Sequence, residues 1–313
     1  MIGCNLCPRN CGADRTNGMR GFCGQDETLK IARAALHYWE EPCISGTAGS
    51  GAVFFSGCAL HCVFCQNRNI ANGTAGECVS AERLTEIFLE LQEKGANNIN
   101  LVTPGHFVPQ IITALTAAKA QGLTLPVIYN TGSYEKTETL RRLEGLIDIY
   151  LPDFKYMDAA LSAKYSHAPD YSQVAKAAVA EMVRQTGAPV FVGEPASEDE
   201  DPIEAGRLLQ RGTIVRHLLL PGQMEDSKAV LRYLHETYGN SVYISIMNQF
   251  TPLEGLEKYP ELNRRVTEEE YEEVVDYAIS LGIERGFIQE GETAAESFIP
   301  AFDGEGVLPY GGE

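Results

Sequence analysis

The sequence predicts an α/β protein in which short buried strands alternate with amphipathic helices. Six short apolar runs recur along the chain, and each is followed by a segment whose apolar residues have helical spacing. Such alternation implies parallel strands joined by right-handed crossovers, and it leaves an open sheet and a partial barrel as the two alternatives. The predicted strands are residues 52–55, 99–102, 127–129, 147–151, 214–220 and 242–247.

The helix boundaries follow from capping residues and glycines in the sequence. Ser80 is placed to cap the first helix, which Gly95 would end. Thr267 and Glu270 have the spacing of a capping box at the start of the last helix. The predicted helices fall within residues 80–95, 109–122, 135–144, 172–187, 225–237 and 267–281.

The composition excludes several classes of function. The chain has 313 residues, nine cysteines and a formal net charge of −18. This acidity argues against nucleic acid, whose binding depends on Lys and Arg neutralising phosphates, and against an anionic membrane surface. No apolar run approaches a membrane span, and Met1 leads to Cys4 without a signal sequence. Closely spaced cysteines then predict bound metal, not disulfides, in a cytoplasmic protein.

Three of the cysteines lie on one short loop directly after the first predicted strand. Cys58, Cys62 and Cys65 have the spacing CxxxCxxC within residues 56–67. Thiolates are soft ligands, and clusters of them bind zinc, Cu(I) or iron–sulfur centres. Three thiolates leave one position open, so the loop predicts a metal centre with room for a further ligand.

A second group of cysteines lies in the first 28 residues, which are rich in glycine. Cys4, Cys7, Cys11 and Cys23 could form a closed four-thiolate site. The segment has few apolar residues, so a metal would have to stabilise it; zinc and a second 4Fe-4S cluster remain alternatives. Cys43 is expected to be a buried thiol without a ligand role, and no role is assigned to Cys78.

Polar side chains recur where the predicted strands end. Because ligands of parallel α/β folds gather at the carboxyl ends of the strands, these residues predict a pocket on the edge that carries the cysteine loop. The candidates are Thr103, His106, Asn130, Asp153, Lys155, Arg216 and His217.

These motifs resemble the radical S-adenosylmethionine (SAM) superfamily, and more closely its branch similar to pyruvate formate-lyase activating enzymes. The resemblance implies a partial (β/α)6 barrel over residues 51–290. A Cys-rich metal-binding segment (1–28) and a connector (29–50) would precede it, and a tail or flap (291–313) would follow. The matching phrases are CPRNCG, HYWEEPC, FFSGCALHCVFCQN, YLPDFKY and VRHLLLPG.

The resemblance also implies an activity. A 4Fe-4S cluster on Cys58, Cys62 and Cys65 would reductively cleave SAM, and the resulting 5′-deoxyadenosyl radical would take a hydrogen atom from a substrate. For an activating enzyme that substrate is a glycine in a glycyl-radical enzyme, and flavodoxin or ferredoxin would be the reductant. The expected cofactor-binding residues are Thr103, Asn130, Asp153, Lys155, Arg216 and His217.

Other functions remain open at this point. They are radical modification of another peptide or of a small molecule, and a non-catalytic iron–sulfur protein. The chain also departs from the activating enzymes after the second strand. Those enzymes carry Gly-Gly-Glu there, whereas this chain has Thr103-Pro104-Gly105-His106.

Overall fold

The computed structural model describes residues 3–193, 200–289 and 300–309. The strands within these ranges are β1 Lys30–His37, β2 Ser50–Phe55, β3 Glu77–Cys78, β4 Ile99–Val102, β5 Val127–Thr131, β6 Ile149–Pro152, β7 Val190–Phe191, β8 Leu209–Leu218, β9 Tyr243–Met247 and β10 Gly286–Ile288. The α-helices are α1 Pro42–Ser45, α2 Arg68–Ala71, α3 Ala81–Glu93, α4 Val108–Ala120, α5 Thr137–Arg141, α6 Ala159–Ser166, α7 Tyr171–Thr186, α8 Met224–Tyr238 and α9 Glu268–Ser280.

The strands form one largely parallel sheet that does not close into a barrel. Their order is β10-β9-β8-β6-β5-β4-β2-β1-β3, with β7 paired to β8 off this path. All pairs from β2 to β10 along the path are parallel, while β1 runs antiparallel to both β2 and β3. The predicted mixed α/β fold, with an incomplete barrel, is therefore confirmed.

The connector predicted over residues 29–50 contains regular structure. It holds β1 and the short helix α1. The sequence of β1, KIARAALH, is rich in alanine and lacks strict alternation of apolar and polar residues, so it carries little strand signal. Strand β1 matters for the site because it leads the chain to α1. That helix packs against the inner face of the sheet, which is the face that also lines the cleft described below.

The described part of the C-terminal segment is attached to the domain. Gly304 and Glu305 hydrogen-bond to β1 through their backbones, and Val307 is fully buried. The predicted tail or flap also includes residues 291–299 and 310–313, which lie outside the described residues. Within the described ranges, no helix is both long and apolar enough to cross a bilayer.

The inner face of the sheet has an apolar end and a polar end. At the amino ends of the strands, Cys43 and Ile44 of α1 pack against Ile128, Ile149 and Tyr243. Asn97 and Asn98, just before β4, hold α1 there by donating to the carbonyls of residues 45 and 44. Helix α1 thus forms a floor, above which the inner face is polar. The inward-facing polar residues are Asn100, Asn130, Asp153, Arg216 and Ser245.

Candidate functional site

The cysteine loop, residues 56–67, leaves the carboxyl end of β2 and is anchored at several points. The backbone N–H of Cys58 donates to the carbonyl of Cys23 (3.2 Å), and that of Val63 donates to Tyr165 (2.9 Å). Phe64 is buried between the rings of Tyr156 and Tyr165. These contacts leave Cys58, Cys62 and Cys65 along one wall of a cleft.

Two thiols of this loop, those of Cys62 and Cys65, have raised pKa values. Burial raises the pKa of Cys65 to about 12, with the neighbouring Cys62 and Cys58 adding to the shift. Burial also raises the pKa of Cys62, against the opposing effect of the Lys155 ammonium. Buried thiols of this kind become thiolates when a metal cation binds them. Their soft donor set fits iron–sulfur chemistry.

No group of three or more His, Cys, Asp or Glu side chains among the described residues is arranged to hold a single metal ion. In a 4Fe-4S cluster each thiolate binds a different iron, so three ligating cysteines need not converge on one point. The arrangement of Cys58, Cys62 and Cys65 is therefore compatible with a 4Fe-4S cluster.

The cleft has a volume of about 470 Å³ and runs from the cysteine loop along the inner face of the sheet. It brings together five of the six residues predicted to bind the cofactor. These are Thr103, Asn130, Asp153, Lys155 and Arg216.

Arg216 lies at the centre of a buried network in this cleft. Its Nε donates to Asp153 (3.0 Å), Nη1 to Glu40 (3.0 Å) and Nη2 to the amide oxygen of Asn130 (2.6 Å). Lys155 Nζ donates to the other carboxylate oxygen of Asp153 at 2.7 Å. Burial favours a neutral Asp153, but Lys155 and Arg216 outweigh it and lower the pKa of this carboxyl. Asp153 is therefore ionised at neutral pH.

His217 was expected beside the cofactor, and the structure corrects this. Successive residues of a strand point to opposite faces of a sheet, so Arg216 faces the cleft and His217 faces helix α8. There its ring nitrogens contact the Phe154 carbonyl and the Ser227 hydroxyl, both at 2.8 Å. Burial lowers its pKa to about 4, so it is a neutral packing residue.

His106 is also turned away from the main cleft. Its Nε2 lies 2.7 Å from the Ser56 carbonyl, and its ring is buried. It lines a small cavity of about 30 Å³ together with Cys7, Cys58 and Glu135. The cavity separates the two groups of cysteines.

Sequence reasoning missed Glu40 and Glu41, which follow β1 and reach the cleft from below. Both line the cleft, and Glu40 accepts hydrogen bonds from Arg216 and from Asn100. The phrase HYWEEPC contained them, but the connector offered no strand end that would have assigned them to the site.

The N-terminal Cys-rich segment packs directly against the cysteine loop. Arg9 donates to the carbonyls of Ala59 (2.7 Å) and Ser166 (3.0 Å) and lies over the rings of Phe22 and Tyr134. In this segment Cys4, Cys7 and Cys11 are at least partly exposed, whereas Cys23 is buried. The remaining two thiols are not in either group: Cys43 is buried in the floor, and Cys78 is exposed.

Comparisons with known proteins agree with this geometry. Residues 44–168 match the family model of the 4Fe-4S single cluster domain. An uncharacterized protein of Methanocaldococcus jannaschii is 25% identical over 283 residues, which cover 88% of this chain and 74% of that protein.

Two solved structures share the fold at 15% identity. Methylornithine synthase (PylB) has a TM-score of 0.51, and the match covers 82% of this chain and 70% of that one. Streptococcus suis SuiB bound to S-adenosylmethionine has a TM-score of 0.50, over 76% of this chain and 49% of SuiB. The chain thus shares its fold with these structures, and it carries a CxxxCxxC loop at the end of the first parallel strand within the region that matches the 4Fe-4S single cluster domain.

Proposed function

We propose that this protein is a radical SAM enzyme that abstracts a hydrogen atom from a substrate held in the cleft. The observation that supports it most is that the three cysteines and five strand-end polar residues line one cavity. When bound and reduced, a 4Fe-4S cluster on Cys58, Cys62 and Cys65 supplies the electron that cleaves SAM to methionine and the 5′-deoxyadenosyl radical.

Two basic residues of the cleft, Arg216 and Lys155, have different roles in this proposal. Each guanidinium nitrogen of Arg216 already donates to a protein acceptor, so Arg216 organises the cleft. Lys155 has one protein acceptor, Asp153, and an ammonium group carries three donors. It also lies close enough to Cys62 to favour the thiolate. We assign to Lys155 the carboxylate of the methionine part of SAM.

Lys155→Ala is expected to weaken SAM binding without loss of iron. Removing a hydrogen bond to a charged group costs about 1.5–3 kcal/mol, so the dissociation constant should rise by roughly ten- to a hundredfold. Titration calorimetry of the anaerobically reconstituted protein measures this constant, and iron analysis checks the cluster. Lys164→Ala, at a half-exposed lysine on α6, is the control. An unchanged constant for Lys155→Ala would leave this lysine without a role in SAM binding.

For the substrate, the resemblance to activating enzymes supports a glycine in a partner protein as the site of hydrogen abstraction. The test is an anaerobic assay with candidate glycyl-radical enzymes, read by electron paramagnetic resonance. A glycyl doublet supports an activating role. If small molecules stimulate 5′-deoxyadenosine formation and no candidate protein gives a doublet, the activating role is contradicted and a small-molecule substrate is supported.

We further propose that Cys4, Cys7, Cys11 and Cys23 hold a second iron–sulfur centre. Burial raises the pKa of the Cys23 thiol, and Cys4 and Cys11 add to this shift, so these thiols lie near one another. The direct hydrogen bond from Cys58 N–H to the Cys23 carbonyl would make the two centres neighbours. Such a neighbour is suited to pass electrons to the first cluster.

The second centre is expected to survive loss of the first. A protein in which Cys58, Cys62 and Cys65 are alanine should retain iron and sulfide, with the absorbance of an iron–sulfur cluster. Additional replacement of Cys4 and Cys7 by alanine should remove both. Metal analysis of the triple variant is the measurement. Stoichiometric zinc without iron would contradict the iron–sulfur assignment, and the absence of both zinc and iron would contradict the existence of a second metal site.

A further inference from the structure

The floor of the cleft carries a buried carboxyl group that forms no ion pair with any residue the structure describes. Glu41 is 9% exposed and lines the cleft, directly before helix α1. Within the described part of the chain, its Oε2 atom is buried and has no hydrogen-bond partner. Arg216 is the nearest cation that affects it, but all three guanidinium nitrogens of Arg216 donate to other residues. A buried acceptor without a partner costs free energy, which a ligand that donates to it would recover.

The charges that line the cleft do not balance. Among the described lining residues there are three carboxylates, those of Glu40, Glu41 and Asp153, against two cations, those of Lys155 and Arg216. Glu40 and Asp153 are both paired with Arg216, and Asp153 also with Lys155. Burial lowers the pKa of the remaining basic residue of the lining, His37, so it adds no charge at neutral pH. The remaining carboxyl is that of Glu41, whose pKa is raised by burial and by the nearby Glu40 against the opposing effect of Arg216, so a ligand that brings a cation to it would stabilise its charged form.

The lining of the cleft also includes apolar side chains. Phe54 of β2, Val102 of β4 and Met247 of β9 line the cleft from the inner face of the sheet, and Ile288 of β10 lines its edge. These apolar residues, together with the one lining carboxyl that has an unpartnered oxygen, match an alkyl chain that ends in a cationic donor.

We propose that the substrate carries an alkylammonium group, which binds Glu41 at the floor while its alkyl chain lies against these apolar side chains. This inference rests on the proposed function, because it assigns the ammonium group to the molecule that loses the hydrogen atom. The chemistry is shared by a small aliphatic amine and by a lysine side chain of a peptide.

The test compares three probes of equal length that differ only in charge: pentylamine, pentanol and pentanoate. Binding to the full, anaerobically reconstituted protein without SAM is measured by saturation-transfer nuclear magnetic resonance and by calorimetry. We expect pentylamine to bind at least tenfold more tightly than pentanol, and pentanoate not to bind. Equal binding of amine and alcohol to the unchanged protein overturns the inference without the need for any variant.

Glu41→Gln keeps the size of the side chain and removes its charge. We expect it to abolish the preference for pentylamine over pentanol while the thermal unfolding midpoint does not fall, since a buried charge is replaced by a neutral amide. Glu268→Gln on the exposed start of α9 is the control, and it should retain the preference. A folded Glu41→Gln protein that still prefers the amine contradicts the inference.

A second arm separates the two sources of the ammonium group. An N-acetylated peptide with one lysine is compared with the same peptide acetylated on that lysine. Tighter binding of the unmodified peptide than of pentylamine supports a peptide substrate, and the reverse order supports a small amine. Binding is independent of SAM cleavage. A protein that binds amines but forms no 5′-deoxyadenosine refutes the proposed function alone, and cleavage without amine preference refutes this inference alone.

Discussion

Replacement of Cys58, Cys62 and Cys65 by alanine together is expected to abolish formation of 5′-deoxyadenosine from SAM. Among the described residues that line the cleft, Cys58, Cys62 and Cys65 are the thiols, and apart from the thioether of Met247 the other donor groups are oxygen and nitrogen, which iron–sulfur clusters favour less. The loss should be complete, since without the cluster no electron reaches SAM. Chromatography of anaerobic reactions with dithionite measures the product.

A matched control for this variant is Cys78→Ala, which removes an exposed thiol that belongs to neither group of cysteines and is not part of the cleft lining. It should retain the cluster and full activity. A triple variant that still makes 5′-deoxyadenosine at a rate comparable with Cys78→Ala would contradict the assignment of the three cysteines.

The second large effect is expected on stability. Arg216→Met removes a cation that contacts Glu40, Asp153 and Asn130 together. Among the residues that the structure describes, the Glu40 carboxylate is then left without a counter-ion. Loss of one partner of a buried ion pair costs about 3–5 kcal/mol because the other charge stays buried. Urea unfolding of the wild-type and variant proteins measures the change in free energy of unfolding.

Arg33→Met is the control for this prediction. The Arg33 side chain is 17% exposed, close to the 13% of Arg216, but its partners Asp303 and Glu305 are more than half exposed. Water solvates those carboxylates when the arginine is lost, so the cost should be about 1 kcal/mol or less. Equal losses in the two variants would show that Arg216 does not hold a buried charge network.

The alternation of strands and helices was readable from the sequence because each buried parallel strand is a continuous apolar run. The six predicted strands correspond to β2, β4, β5, β6, β8 and β9. The loop with Cys58 follows the strand end as expected, since spacing and position are both local properties. Strand β1 escaped detection because its alanines pack between neighbouring strands without an alternating pattern.

The side-chain directions within the site were less accessible to sequence reasoning. Arg216 and His217 are adjacent on β8, and only one residue of such a pair can face the cleft. The sequence offers no sign of which one does, because both are polar and both are buried. Glu40 and Glu41 enter from below, on a segment whose position depends on packing of α1 against three separate strands. Such non-local contacts leave no periodic pattern.

The central claim is that this cleft cleaves SAM reductively. The most direct measurement is anaerobic incubation of the reconstituted wild-type protein with dithionite and SAM, followed by chromatography for 5′-deoxyadenosine and methionine. The account predicts that both products appear in equal amounts, and that they require both dithionite and the intact cysteine loop. A protein that carries a full 4Fe-4S cluster, binds SAM and yet forms neither product would contradict it.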